Sequence, residues 1–409
     1  MSYSLRLLDG LLDEVLAELP AVLLVGPRSV GKTTTAARRA ASIVRLDVPS
    51  EAGAFRADPD AMLRSMPAPV LLDEWQAVPE TMSAVKRAVD GDFRPGRFVL
   101  TGSASGDLIG ATAAGTGRVV RLRLYGMSVR EQEGNSEQTP FLDRLARGEA
   151  IESPSQSWDI RDYLDAAMKS GFPEAAGLTS PHARQRWLEG YIDQVVTRDA
   201  SGGPGMRDPV RLRRYLEGYA LNSAGVVEAQ SIYTAAGVDK KTASAYESLL
   251  ENLFVVEALP AWLSNRMKRL TRAPKRHVVD AGLLAAALGM EYRAVLTDAG
   301  ILGRVIESFV VSQLRSELEV CRSRPRLFHL RESQGRREID LVAELGGRGV
   351  VACEVKAGAS VGPGDARHLA WFRDLLGERF VAGVVLHTGP RAFHVGEKIQ
   401  ALPISTIWS

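Results

Sequence analysis

Two cysteines, Cys321 and Cys353, are all that 409 residues contain. That is too few for a disulfide framework, and they lack the paired spacing of a zinc site, so a reducing compartment is implied. No run approaches the ~18 apolar residues needed to cross a bilayer. The uncharged stretch from Ala281 to Met290 is far shorter, and no membrane partner is expected. The opening MSYSLRLLDGLLDEVLAELP sets Asp9, Asp13, Glu14 and Glu18 among its leucines, unlike the uncharged core of an export signal. It reads as an amphipathic helix, and the expected location is cytoplasmic. An excess of one charge is missing too, since 51 basic residues stand against 49 acidic ones for a formal net charge of +2. Attraction to a polyanion must therefore come from local clusters. Repeats of roughly 20–50 residues are absent, which argues against solenoids and propellers. Aromatics are slightly lean at 6%, but 45% apolar and 24% charged residues are ordinary globular values, so disorder is not the default.

The length exceeds the ~250–300 residues at which one core stops growing, so two or three domains are expected. From Ala21 to about Ser128, five β-rich runs (AVLLVG, SIVRLD, APVLLDE, GRFVLTGS, RVVRLRL) alternate with helix-like segments. Such alternation predicts an α/β domain, a five-stranded parallel sheet with helices on both faces, over residues 1–135. Residues 136–158, with the polar GNSEQTP and ESPSQS nearby around FLDRLARG, read as a linker. Residues 159–296 are mostly helical by periodicity. Within them comes a helix, a turn at Gly237, a second helix from Lys240 and an apolar strand, which is a helix-turn-helix order of winged-helix type. The segment after it carries Arg266, Lys268, Arg269, Arg272, Lys275 and Arg276 with no acid before Asp280. These six, with Lys240 and Lys241, are the candidate DNA contacts; a solvated basic loop, or contact to an acidic neighbour, is the competing reading. Residues 297–409 read as a mixed α/β domain.

Chemistry concentrates at Gly26-Pro-Arg-Ser-Val-Gly31-Lys32-Thr33, which follows an apolar strand and precedes a helical run. The pattern G-x-x-x-x-G-K-S/T in that context is a phosphate-binding loop. Gly26, Pro27, Arg28, Ser29, Val30, Gly31, Lys32, Thr33 and Thr34 are the expected ATP contacts. In such loops backbone N–H groups wrap the phosphates, the lysine reaches the β and γ oxygens, and the hydroxyl at Thr33 would ligate Mg²⁺. Val70-Leu71-Leu72-Asp73-Glu74 is a strand ending in two acids. Asp73 would hold the magnesium shell and Glu74 would activate water. Phe98-Val-Leu-Thr-Gly-Ser103 ends a strand in hydroxyls, and either Thr101 or Ser103 would sense the γ-phosphate. Arg118, just before the fifth strand, stands at the position that resembles the arginine finger an AAA-type ring presents to a neighbour's nucleotide; a plain surface arginine is the alternative.

Near the C-terminus, REIDLVAEL and VVACEVKA flank Gly346-Gly-Arg-Gly349, a hairpin pattern that sets Asp340 roughly opposite Glu354. Cross-strand carboxylates some 4.5–5.5 Å apart share a hard cation readily. Alternation then puts Lys356 on the face of Glu354. A carboxylate on one strand and Glu-x-Lys on the next resembles metal-dependent nucleases of the restriction-endonuclease type. That likeness would make Asp340 and Glu354 metal ligands, Glu307 on the preceding helix a further one, and Lys356 the residue positioning water for phosphodiester cleavage. An ion-paired strand face is the bland alternative.

With these motifs in view, the chain resembles bacterial AAA-type ATPases that carry a C-terminal domain of unknown function with a restriction-endonuclease-like core. Further landmarks are Gly171-Phe-Pro-Glu174, Arg198-Asp199, Pro274-Lys275 and Asp280-Ala-Gly-Leu283. Ser170 and Gly126 depart from the glycine and proline usual at their positions. The resemblance implies the fold and ATP binding with Mg²⁺, and hydrolysis by Lys32, Asp73 and Glu74 is expected; because an AAA-type site is completed by a neighbour's arginine, a homo-oligomer, a hexamer first, is expected too. The basic segment and the helix-turn-helix order, not the resemblance, make DNA the expected partner, in repair, recombination or defence. An ATP-gated binding module with a non-cleaving nuclease-like domain is the rival. A small-molecule phosphotransferase is disfavoured by Glu74 beside Asp73.

Overall fold

Near-continuous apolar runs suit parallel strands covered on both faces. Five N-terminal runs form one such sheet: β1 (Ala21–Val25), β2 (Ser42–Arg45), β3 (Val70–Asp73), β4 (Phe98–Gly102) and β5 (Val119–Arg123). All neighbours are parallel, in the order β2-β3-β4-β1-β5. β1, β3 and β4 are buried throughout, whereas the edge strands β2 and β5 are partly exposed. The computed structural model describes residues 3–102, 117–197, 208–269, 272–332, 336–347 and 349–409.

This sheet belongs to the first of two units, which runs up to Gly126 and includes Ser248–Val255. Its helices are α1 (Leu8–Glu18), the amphipathic helix expected at the N-terminus, then α2 (Lys32–Ala37), α3 (Pro49–Ala57), α4 (Pro59–Ser65) and α5 (Glu80–Gly91). Phe55, Trp75 and Phe98 fill the core, and Phe254 packs against it. The strand order positions the site. β4 lies between β1 and β3, with Leu24 paired to Thr101 and Leu72 to Leu100. Thr101 therefore falls one step further, level with Asp73, at the carboxyl ends where open α/β sheets take ligands.

The second unit comprises Met127–Glu247 and Val256–Ser409. The stretch expected to link domains lies in it and carries the helix Phe141–Ala146. Asp143 of that helix accepts from the backbone N–H groups of Arg322 (2.8 Å) and Ser323 (2.9 Å). Helices Ala229–Ala235 and Lys240–Asn252 flank a turn at Gly237, where φ is +68° and a side chain would be strained. The antiparallel pair β6 (Val256–Leu259) and β7 (Lys275–Val278) follows.

Two landmarks far apart in sequence meet here. Asp280 caps the helix Ala281–Ala287 through Leu283 N–H (2.8 Å) and also accepts from Gly171 N–H (2.7 Å). Burial pushes this carboxyl above its usual range, and the donated N–H groups oppose that.

The C-terminal sheet is mixed, ordered β12-β13-β11-β10-β9-β8. Its strands are β8 (Arg326–Arg331), β9 (Glu338–Glu344), β10 (Val350–Val355), β11 (Phe380–His387), β12 (Phe393–Gly396) and β13 (Ile399–Pro403). β8, β9 and β10 form an antiparallel meander, as the glycine-rich turn predicts. The helix Arg367–Leu376 connects β10 to its parallel neighbour β11. Among the described residues no helix is long and apolar enough to cross a membrane.

Candidate functional site

The loop between β1 and α2 depends on its glycines. Gly26 has φ +155°, and a Cβ there would lie 2.0 Å from the carbonyl oxygen of Leu124. Gly31, at φ +91°, sits in left-handed space immediately before α2. Lys32 folds back over the loop, its ammonium donating to the carbonyls of Gly26 (3.0 Å) and Pro27 (2.7 Å). It is only 5% exposed. Burial pushes it down to about 8, against the opposing pull of Glu74 and Asp73.

A chain of hydrogen bonds joins the start of α2 to the ends of β3 and β4. Thr33 Oγ1 donates to Asp73 Oδ1 at 2.7 Å, and Thr101 Oγ1 donates to the same oxygen. The backbone N–H of Glu74 donates to Thr101 Oγ1 at 3.3 Å. Glu74 itself holds φ +51°, a conformation costly for a non-glycine residue and one that gathers at functional sites. Gln76 Nε2 donates to its carboxylate. Ser103, the alternative to Thr101, lies outside the described residues.

Residues 18–133 match the family described as AAA domain. Residues 160–294 and 302–407 match two families described as domains of unknown function, DUF8612 and DUF4143. Uncharacterized proteins of Mycobacterium bovis and Mycobacterium tuberculosis are each 29% identical over 402 residues, which is 97% of this chain and 82% of each relative. Among solved structures, the Walker-type ATPase PABY2304 of Pyrococcus abyssi superposes with a TM-score of 0.43 at 13% identity, over 69% of this chain and 94% of its own. The ORC1 protein of Aeropyrum pernix, solved in complex with DNA, gives 0.28 at 13% identity, over 72% and 95%.

The residues gathered at the carboxyl end of this sheet fit a magnesium nucleotide on their own geometry. A glycine cradle that a Cβ would fill, a lysine donating to two neutral carbonyls, and a hydroxyl converging on a carboxylate are the donor set that such a ligand needs. Two contributors escaped the sequence reading. Gln76 was hidden as an ordinary polar residue after Asp73-Glu74. Arg6 donates to the carbonyls of Val30 (2.7 Å) and Tyr125 (2.6 Å), bracing the loop from a segment with no motif of its own. Arg118, expected to serve a neighbour, pairs with Asp90 at 2.8 Å and is 39% exposed.

Several expectations for the second unit need correction. Glu307 and Asp340, expected as metal ligands, both hold the ammonium of Lys275, at 2.5 and 2.8 Å. Among the described residues no three acidic, histidine or cysteine side chains form a group that would hold a metal. Burial pushes Asp340 up, but Lys275 outweighs it and holds this carboxyl below its usual range. Burial and the charge of Asp340 push Glu307 up to about 8 and Glu354 up to about 9. Lys356 lies 3.6 Å from Glu354 and is 37% exposed.

The basic strip also divides. Lys275, Arg276 and Arg269 are buried, which removes them as phosphate contacts. Arg276 pairs with Glu247 at 2.9 Å and Arg269 with Glu344 at 2.8 Å. Lys240, Lys241 and Arg272 are exposed. Arg266 and Lys268 belong to the short helix Arg266–Arg269.

Proposed function

We propose that this chain hydrolyses ATP in its AAA domain and that the cycle acts on DNA held by the helix-turn-helix segment, the C-terminal domain docking without cutting. The observation that carries the reading is the bonded set Thr33, Asp73, Thr101 and Glu74 at the carboxyl end of the sheet. Lys32 and the loop N–H groups bind the phosphates, while Thr33 and Asp73 hold the magnesium. When bound, the magnesium nucleotide supplies the electrophilic phosphoryl group and the cation that neutralises its oxygens. Glu74, oriented by Gln76, takes the proton of the attacking water. Thr101 links the Glu74 backbone to Asp73 and is taken as the sensor of the γ-phosphate, Ser103 being the alternative. Arg118 completes the site of a neighbouring copy in a ring, a hexamer in this reading. Exposed Lys240 and Lys241, at the start of the second helix, support the choice of DNA.

One assay tests this: phosphate release with and without duplex DNA, across protein concentration and salt. Turnover per protomer should rise with protein concentration, as a shared site demands, and DNA should change it. A double Lys240→Ala, Lys241→Ala variant should bind DNA with a salt slope shallower by about 2. A protein that neither releases phosphate nor binds adenine nucleotide would end the proposal; release indifferent to DNA would end its DNA half.

The buried lysine adds a pH dependence. Lys32 titrates near 8 in the free loop, and triphosphate charge raises it on binding, so binding above that pH takes up a proton. Nucleotide affinity should be flat from pH 6 to 7.5 and fall by up to about tenfold per unit above pH 8. Calorimetry in buffers of different ionisation enthalpy reads the uptake directly. Lys32→Arg should flatten the profile, and an equal fall in that variant would exclude Lys32 as the cause.

A further inference from the structure

We infer that Lys275 is the resident cation of the C-terminal carboxylate cluster, its ammonium standing where a nuclease-like domain would take a divalent metal. The ammonium lies 2.5 Å from Glu307 and 2.8 Å from Asp340, and the lysine is 1% exposed. Magnesium binds carboxylate oxygens at about 2.0–2.1 Å and demands near-octahedral space. Two cations cannot both approach these same oxygens so closely without strong repulsion.

The lysine is delivered by a packed strand, not by a loose arm. β7 is paired along its length with β6, Lys275 opposite Leu259 and His277 opposite Glu257. Alternation puts Lys275 and His277 on one face, and both meet the helix Ala299–Glu317: Lys275 at Glu307, and His277 within 3.4 Å of Ser308 Oγ. The other face sends Arg276 to Glu247. The connection between β6 and β7 is itself fastened to β8. Trp262 N–H donates to the His329 carbonyl at 2.6 Å, and His329 N–H donates to that of Pro260 at 3.0 Å. His329 Nε2 lies 3.1 Å from the Ala273 carbonyl. Removing the ammonium would therefore mean unseating the hairpin.

Asp340 is doubly engaged as well, since its Oδ2 accepts from Val355 N–H at 2.9 Å. Both of its oxygens thus have donors from this chain. Lys275 ties the hairpin beside the helix-turn-helix to the C-terminal sheet with the charge that a metal would otherwise bring. The cluster is a cross-link, and the domain works without a divalent ion. This inference stands independently of ATP hydrolysis.

The test titrates Mn²⁺ into the full chain without nucleotide, following the free ion by electron paramagnetic resonance, for wild type, Asp340→Asn, Lys275→Met and the Lys275→Met, Asp340→Asn double variant. The isotherms of wild type and Asp340→Asn should coincide. Lys275→Met should gain one site at least tenfold tighter than any in wild type, and the double variant should lose it. Mn²⁺ should raise the melting temperature of Lys275→Met alone. Wild-type binding that vanishes in Asp340→Asn would overturn the inference, as would a folded Lys275→Met that gains no site. Should Lys275→Met fail to fold, the comparison of wild type with Asp340→Asn still decides.

Discussion

Replacing Glu74 by glutamine is expected to leave ATP binding intact and to slow hydrolysis by about 10²–10⁴-fold, the range for removing a general base. Glutamine keeps the length and shape of the side chain, so the left-handed backbone at Glu74 and the bond from its N–H to Thr101 have no reason to change. The amide still offers Gln76 an oxygen to bond, but it takes no proton from water at neutral pH. Asp73, Thr33 and Lys32, which carry the binding, are untouched. Lys32→Ala should behave in the opposite way, losing nucleotide affinity itself. Filter binding and single-turnover phosphate release separate the two, one variant retaining ATP and the other failing to capture it. Equal turnover in Glu74→Gln and wild type would remove Glu74 as the base and leave the reading without an activated water.

Much of this site was legible because its pattern is local. Gly26 to Thr33 is contiguous, the strand ending in Asp73-Glu74 announces itself by hydropathy, and five apolar runs separated by helical stretches prescribe a parallel sheet. The glycine-rich turn likewise set β9 against β10. Illegible features share a different property, in that their partners are remote. Arg276 meets a glutamate 29 positions away, Lys275 an aspartate 65 away and Arg269 a glutamate 75 away. From the sequence each reads as one more charge in a basic strip, because composition reports charge but not which acid will fold against it. A run of six cations without an acid left a nucleic-acid surface and contact with an acidic neighbour both open; three of them are neutralised inside. Arg6 was missed for the same reason, its acceptors being backbone carbonyls that no sequence pattern marks. The strain at Glu74 is another such case, since a φ of +51° cannot be read from a glutamate.

Arg130→Met should destabilise the second unit by about 3–5 kcal/mol, the cost of breaking one side of a buried ion pair. Arg130 and Glu317 lie 3.0 Å apart with side chains 1% and 2% exposed. The guanidinium also donates to the carbonyls of Gln138 and Thr139, each at 3.1 Å, and to that of Ile407. It thereby joins the segment after β5, the helix Ala299–Glu317 and the chain's end. Methionine fills much of the volume but satisfies none of those oxygens, and each buried acceptor left without a donor adds to the loss. Glu317 sharpens the test through pH. Burial pushes its carboxyl up to about 7, Arg130 opposing, so between roughly pH 4.5 and 7 the folded chain binds more protons than the unfolded one. Stability from this group is present at low pH and declines as pH rises through 7. Without Arg130 the carboxyl should rise further, extending the decline to higher pH, whereas Glu317→Gln should abolish it. Urea denaturation of wild type, Arg130→Met and Glu317→Gln from pH 5 to 8.5 measures both effects. An Arg130→Met midpoint within error of wild type at pH 7.5 would mean that this pair does not hold the unit together.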